Sequence, residues 1–204
     1  MKKDSIAYVV VFTFVICAVF VGVLAIANES TKAAASANKE FALQSAVLGA
    51  FGISYTDKAD ASSKYKSSVN ETVSAGGRAW KARLDNQDYS AVEAAGPGLW
   101  GTITVILAAS PDGERVRGIR LVSQNETPGL GGRIEETWFL GQYEGEKSAA
   151  GKIAMKAGAE SSGKADPDKE NSRVEGISGA TRTSQAFGDL VESALAKIKA
   201  MGGK

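Results

Sequence analysis

The chain has 204 residues, 44% hydrophobic and 23% charged, which suits one sizeable folded domain plus an appendage and excludes wholesale disorder. Its 24 Lys and Arg balance 23 Asp and Glu, and without Lys2, Lys3 and Asp4 the remainder carries 22 of each, so nothing favours a nucleic-acid partner. With no histidine and a single cysteine, Cys17, the chain cannot build intrachain disulfides, Ser-His-Asp or Cys-His nucleophilic sites, or thiolate and imidazole metal sites of its own. Chemistry here must come from carboxylates, lysines or an added cofactor.

Residues 6–27 form a run of 22 without a charge. As a helix it would extend about 33 Å, enough for a bilayer core of about 30 Å. Lys2 and Lys3 precede it, which places the N-terminus in the cytoplasm and everything after the span outside. Ala25-Ile26-Ala27 also fits a signal-peptide cleavage pattern, but the apolar stretch far exceeds the roughly 7–15 residues of such a peptide. A retained anchor is the reading adopted. Residues 28–51 are rich in Ala, Lys, Glu and Gln, with Leu43, Val47 and Phe51 on one stripe and Gly52 placed to cap the end. The expected organisation is a cytoplasmic tail over 1–5, a transmembrane helix over 6–27, a connecting helix over 28–52 and one domain over 53–204.

Residues 56–77 are polar and say little, and Trp80 and Leu84 fit a strand or a short helix. Gly96-Pro97-Gly98-Leu99-Trp100-Gly101 leads into the β-rich run Thr102-Ile103-Thr104-Val105-Ile106-Leu107. Ser110-Pro111-Asp112-Gly113 is a turn signal, and residues 116–122 supply the return strand of a hairpin. Glu126-Thr127-Pro128-Gly129-Leu130-Gly131-Gly132 follows. Its density of Pro and Gly predicts a loop with bare main chain, open to a flat ring, or else a plain tight turn. Ile134 and Trp138, four apart, predict a short helix whose Glu135 and Glu136 face water. Residues 144–173 read as surface loop, with one strand near Ile153.

Close to the C-terminus, Glu175-Gly176-Ile177-Ser178-Gly179-Ala180-Thr181-Arg182-Thr183-Ser184 precedes an amphipathic helix opening near Thr183. Phe187, Val191 and Leu195 recur at intervals of four beside Leu190, Ala194 and Ile198, which gives one apolar face. A Gly- and hydroxyl-rich turn at a helix start offers free N–H groups and the positive end of the helix dipole, a natural seat for a phosphate. The plainer reading is that Ser and Thr are N-caps and Gly179 serves a turn.

Ser178-Gly179-Ala180-Thr181-Arg182-Thr183-Ser184 resembles the signature of the FMN-binding subunits of two related membrane complexes. These are the C subunit of the sodium-translocating NADH:quinone oxidoreductase and the G subunit of the Rnf ferredoxin:NAD oxidoreductase. The Glu126 to Gly132 loop, the Gly-Leu-Trp before the hairpin and the Asp4-Ser5 before the apolar run are similar to the same family, in the same order. The resemblance implies FMN held covalently by a phosphoester to Thr181, installed by a flavin transferase from FAD. Ser178, Gly179, Ala180 and Thr183 would frame the phosphate. Thr127, Gly129, Leu130 and Gly131 would border the isoalloxazine. Trp100 either contacts the flavin or closes the edge of the core. Glu175 stands where the wider signature commonly has Asp, which keeps the carboxylate.

The expected fold is α+β: one N-terminal transmembrane helix, then a single exported FMN-binding domain with an antiparallel sheet and packed helices. The implied role is electron transfer in an ion-translocating oxidoreductase of the bacterial inner membrane, with no catalytic residues of the chain's own. Its implied partners are membrane subunits carrying iron–sulfur and a second covalent-FMN subunit. Gly-Leu-Trp favours the quinone-reductase family member, whereas the short domain suits the Rnf one. Two other readings stand beside this one. One is an anchored module that binds a phosphorylated ligand non-covalently without redox work, and the other is an assembly subunit with a vestigial flavin.

Overall fold

Residues 102–109 carry apolar side chains toward both faces of the strand they form, and the architecture follows from that. Ile103, Val105, Leu107 and Ala109 enter one core cluster, while Ile106 and Ala108 enter another. Successive side chains in a strand point to opposite faces, so this strand must be covered on both sides. The computed structural model describes residues 5–74, 77–156 and 167–202.

The chain divides into two units between Glu40 and Phe41. Helix α1 runs from Ile6 to Phe51. In the first unit it is long and apolar enough to cross a membrane, and Val, Phe, Leu and Ile side chains between Ile6 and Ile26 are exposed.

The second unit is built on a five-stranded antiparallel meander in sequence order. Its strands are β1 (Asn70–Ser74), β2 (Gly77–Leu84), β3 (Gln87–Pro97), β4 (Thr102–Ala109) and β5 (Val116–Ser123). Between β2 and β3, Asp85 and Asn86 both take positive φ, 50° and 61°, in a two-residue turn. Asp and Asn tolerate that left-handed conformation, and its twist matches the strands it joins. The expected turn joins β4 to β5: Gly113 donates to Ser110 O at 2.8 Å and the Ser110 N–H reaches Arg115 O at 2.9 Å.

One face of the sheet packs against α4, Thr181–Gly202, whose Phe187, Leu190, Val191, Ala194, Leu195 and Ile198 are all buried. The apolar stripe predicted for this helix is therefore its core face. The other face packs Trp80, Ala91 and Ile106 against Leu43, Val47, Leu48 and Phe51 of α1, together with Ala61 of α2 (Lys58–Ser68). Helix α1 ends where Gly52 takes φ 77° and the Ile53 N–H returns to Leu48 O at 2.9 Å. That is the left-handed glycine termination of a helix. Arg117 Nε donates to Phe51 O at 3.1 Å, so a cation meets the negative end of the helix dipole.

Three stretches differ from expectation. Residues 56–77, on which the pattern was silent, hold α2 and β1, with Ala75 and Gly76 outside the described residues. The short helix expected across Ile134 and Trp138 is two pieces, a 3-10 turn at Gly131–Glu135 and α3 at Thr137–Gly141. Glu136 separates them in an extended conformation, φ −64° and ψ 138°. Its carboxylate takes Arg133 Nε at 2.9 Å and also the Trp138 indole N–H, instead of facing water alone. Among the described residues of 144–173, the strand expected near Ile153 is present and the remainder is not all surface loop. They contribute buried Glu146, Ser148 and Ile153 and begin the parallel pair β6 (Ala154–Lys156) and β7 (Arg173–Glu175). Residues 157–166 lie outside the described residues.

Candidate functional site

The hydroxyl-rich stretch before α4 is sorted by burial. Thr181 is the first helical residue and is exposed, as are Ser178 and Gly179 before it. The helix thus opens two residues earlier than the pattern suggested. Gly179 takes φ 78°, which glycine adopts without strain, and the turn closes with the Ala180 N–H on Ile177 O at 3.1 Å. Ser184 is fully buried. Its hydroxyl accepts the Ile177 N–H at 2.9 Å and donates to Ala180 O at 3.0 Å, so it caps the turn and leaves nothing for a ligand. Thr183 is also buried, and its hydroxyl donates to Glu126 Oε2 at 2.6 Å.

That bond joins two of the motifs, and Glu126 joins the third. Its Oε1 accepts the Trp100 N–H at 3.0 Å. Burial works to raise the Glu126 carboxyl, but the bonds from the Thr183 hydroxyl and the N–H groups of Trp100, Leu99 and Gly101 outweigh it. The net direction is downward, and the group is held ionised. The glycines around it are there for close approach. A Cβ on Gly98 would lie 2.5 Å from Glu126 Oε1, and one on Gly131 would lie 2.7 Å from Thr183 Oγ1 and 2.8 Å from Glu126 Oε2.

The loop from Glu126 to Gly132 presents Thr127, Pro128, Gly129 and Leu130 to solvent. Both the Leu130 and Gly132 N–H groups turn back onto Thr127 O, at 3.1 and 2.9 Å. Gly129 has φ 74° with open space around it. A Cβ on Gly179 would touch Leu130 Cδ2 at 3.4 Å, so the loop tip lies against the turn that precedes Thr181. Leu99, Trp100 and Leu130 are 48%, 72% and 47% exposed. Trp100 therefore does not close the core edge. Exposed apolar groups of this size beside a helix start suit a flat, largely apolar ring with a phosphate tail.

Residues 98–196 match the FMN-binding domain family. Among curated relatives, the C subunit of the Na(+)-translocating NADH-quinone reductase of Pasteurella multocida is 36% identical over 91 residues, covering 44% of this chain and 33% of that protein. The G subunit of the proton-translocating ferredoxin:NAD(+) oxidoreductase complex of Clostridium ljungdahlii is 33% identical over 115 residues, covering 55% of each. The matched segment thus spans a third to about half the length of these relatives. The crystal structure of the C subunit of the Na(+)-translocating NADH-quinone reductase of Parabacteroides distasonis shares the fold, with a TM-score of 0.67 at 20% identity over 85% of this chain and 97% of that one.

The family match begins at Gly98 and ends within α4, so it takes in all three motifs that meet at Glu126. The matched segment brings Thr127, Leu130, Gly131, Gly179 and Thr183 into one neighbourhood through the contacts above. Ala180 is buried at the end of the turn, and Ser178 lies within it with its residue exposed. Glu175 is held through its main chain, with its N–H on Gln142 Oε1 at 2.7 Å and its carbonyl on Gln142 Nε2 at 3.0 Å. Sequence reasoning assigned no role to Glu126 or Gln142. Their partners lie 26 to 57 residues away, and Glu126 between Asn125 and Thr127, like Gln142 between Gly141 and Tyr143, has no local pattern to mark it.

Proposed function

We propose that this chain is a membrane-anchored electron-transfer subunit of an ion-translocating redox complex, with FMN held covalently on Thr181. The observation that carries the assignment to Thr181 is the sorting of hydroxyls in the signature. Thr183 and Ser184 are buried and bonded inward, while Thr181 stands exposed at the first position of a 22-residue helix. Ser178, Gly179, Ala180 and the main chain of Thr183 lie at that helix start, where N–H groups and the helix dipole favour a phosphodiester. Thr127, Gly129, Leu130 and Gly131 supply the loop that borders the ring, and Leu99 and Trp100 offer further apolar surface. Bound FMN supplies the redox chemistry, and the protein supplies position, charge and partial exclusion of water.

Attachment needs outside help. The chain has no histidine to serve as a base for the Thr181 hydroxyl. The Thr181 oxygen would displace AMP from the flavin-bearing phosphorus of FAD, its proton passing to a base of a separate flavin transferase. The partners would be the membrane subunits of the complex, some carrying iron–sulfur, and a second covalent-FMN subunit. The quinone-reductase role is preferred over the Rnf role because Gly98-Leu99-Trp100 is present and turned outward. Residues 28–204 would stand on the extracytoplasmic side of the cell membrane, given Lys2 and Lys3 before the span.

The test is Thr181→Ala in the full-length protein co-expressed with a flavin transferase. The variant should fold and insert but lose in-gel flavin fluorescence, and its mass should lack FMN minus one water. Covalent flavin persisting on that variant would sink the assignment. Mass spectrometry of the co-purifying subunits decides between the two complexes.

A further inference from the structure

Three segments meet at one carboxylate. Glu126 Oε2 holds the Thr183 hydroxyl at 2.6 Å, and Oε1 holds the Trp100 N–H at 3.0 Å. The residue is only 5% exposed. A buried ionised group is unfavourable unless each oxygen is bonded, and removing a partner leaves a charge with no compensation. Two glycines, Gly98 and Gly131, stand where any Cβ would strike that carboxylate, and neither takes a positive φ. Their small size leaves room for Glu126, together with Ile103 and Gly101 O at Gly98 and the Thr183 hydroxyl at Gly131.

The surroundings explain what such an arrangement can do. Leu99, Trp100 and Leu130 are about half exposed or more, so core packing does little to fix them. The main chain under Trp100 is tied by its bond to Glu126 and by the Gly98 N–H on Gly101 O at 2.7 Å. A Cβ on Gly101 would lie 2.8 Å from Asn125 Cβ, so the Gly98 to Gly101 turn rests directly on the segment leading into Glu126. The same carboxylate reaches the third residue of α4, the helix that begins with Thr181.

We propose that Glu126 is a positioning residue of the flavin site, fixing the Leu99–Trp100 turn relative to the Thr181 helix start so that a flavin on Thr181 meets a preformed apolar surface. This rests on the assignment of flavin to Thr181 made above.

The experiment uses the full-length protein in detergent, with and without transferase co-expression, as wild type, Glu126→Ala and Glu126→Gln. In flavin-free protein, Glu126→Ala should speed hydrogen exchange at the Trp100 amide roughly tenfold while the amides of β2 and β3 keep their wild-type rates. In flavin-loaded protein it should change the visible circular dichroism of the flavin. Glu126→Gln, which keeps one acceptor oxygen and the side-chain volume, should recover part of both. Unchanged exchange at Trp100, or faster exchange with an unchanged flavin spectrum, would overturn the proposal. Should Glu126→Ala fail to fold, Glu126→Gln carries the same readouts at smaller amplitude, and no change in either would again overturn it. A wild-type protein that takes up no covalent flavin would instead refute the Thr181 reading beneath it.

Discussion

The Thr183 hydroxyl donates to Glu126 across 57 residues of sequence, at 2.6 Å and with both residues buried. The length is that of a charge-assisted hydrogen bond. It turns the second threonine of the signature into part of the protein interior, while the first, Thr181, stays at the surface.

Thr183→Val keeps the shape and removes the donor, leaving Glu126 Oε2 without it. The expected loss of stability is about 1.5–3 kcal/mol by denaturant unfolding, the range for a hydrogen bond to a charged group. Thr181→Val, at an exposed position, should stay within about 0.5 kcal/mol of wild type. Equal costs at the two threonines would show that the bond contributes nothing.

Gly131→Ala and Gly129→Ala separate crowding from backbone strain. At Gly131 a Cβ meets Thr183 Oγ1 at 2.7 Å and Glu126 Oε2 at 2.8 Å, so overpacking of about 1–3 kcal/mol is expected, together with a disturbed Glu126. Gly129 has open space but φ 74°, so alanine there should cost about 1–2 kcal/mol through its left-handed conformation alone. Amide exchange at Trp100 should respond to the first substitution and not to the second. The reverse pattern would contradict the packing described here.

Glu126 also makes a prediction for acid. Its carboxyl is held below the ordinary value of 4.5, with burial opposing and the donated bonds prevailing. A carboxyl depressed in the folded state contributes stability that is fully present above its unfolded value. That contribution is lost as pH falls through the folded value. The stability difference between wild type and Glu126→Gln should therefore be constant near neutrality and shrink in wild type's disfavour below about pH 4.5. Unfolding midpoints in denaturant across acid pH check this, and a difference that widens on acidification would reverse the sign.

Leu130 is half exposed and lies beside the turn at Gly179, so Leu130→Ala should barely alter stability. It should retain covalent FMN while changing flavin fluorescence, because the apolar contact is lost and water gains access. Loss of attachment in a folded protein would remove the loop from the site.

Much of the architecture was legible because it is written in short periods. The stripe of Phe187, Val191 and Leu195 and the hairpin around Ser110 to Gly113 are patterns within one element, and each reappears as read. The polar segments were not legible. Helix α2 has a single buried residue, Ala61, and its start is marked by the Asp57 cap rather than by an apolar stripe. At the break, the Glu136 carboxylate takes both the Arg133 guanidinium and the Trp138 indole N–H, contacts that no periodicity announces. Strand β6 lies where a strand near Ile153 was expected, but its partner β7 was not legible: at three residues each they pair through main-chain bonds, and side-chain alternation has no length in which to appear.

The same division holds at the site. Sequence alone singled out the three motifs, the helix that follows Thr181 and the lack of any histidine base, because each is a matter of residue type and local spacing. Only the tertiary structure decided which hydroxyl faces solvent and which is tied inward, and that Trp100 stands exposed rather than closing the core. It also revealed Glu126 as the point where the motifs meet. The physical reason is range: helix and strand periodicity act over a few residues, whereas a buried carboxylate takes its partners from whatever the folded chain brings within hydrogen-bond distance, here 26 and 57 residues away.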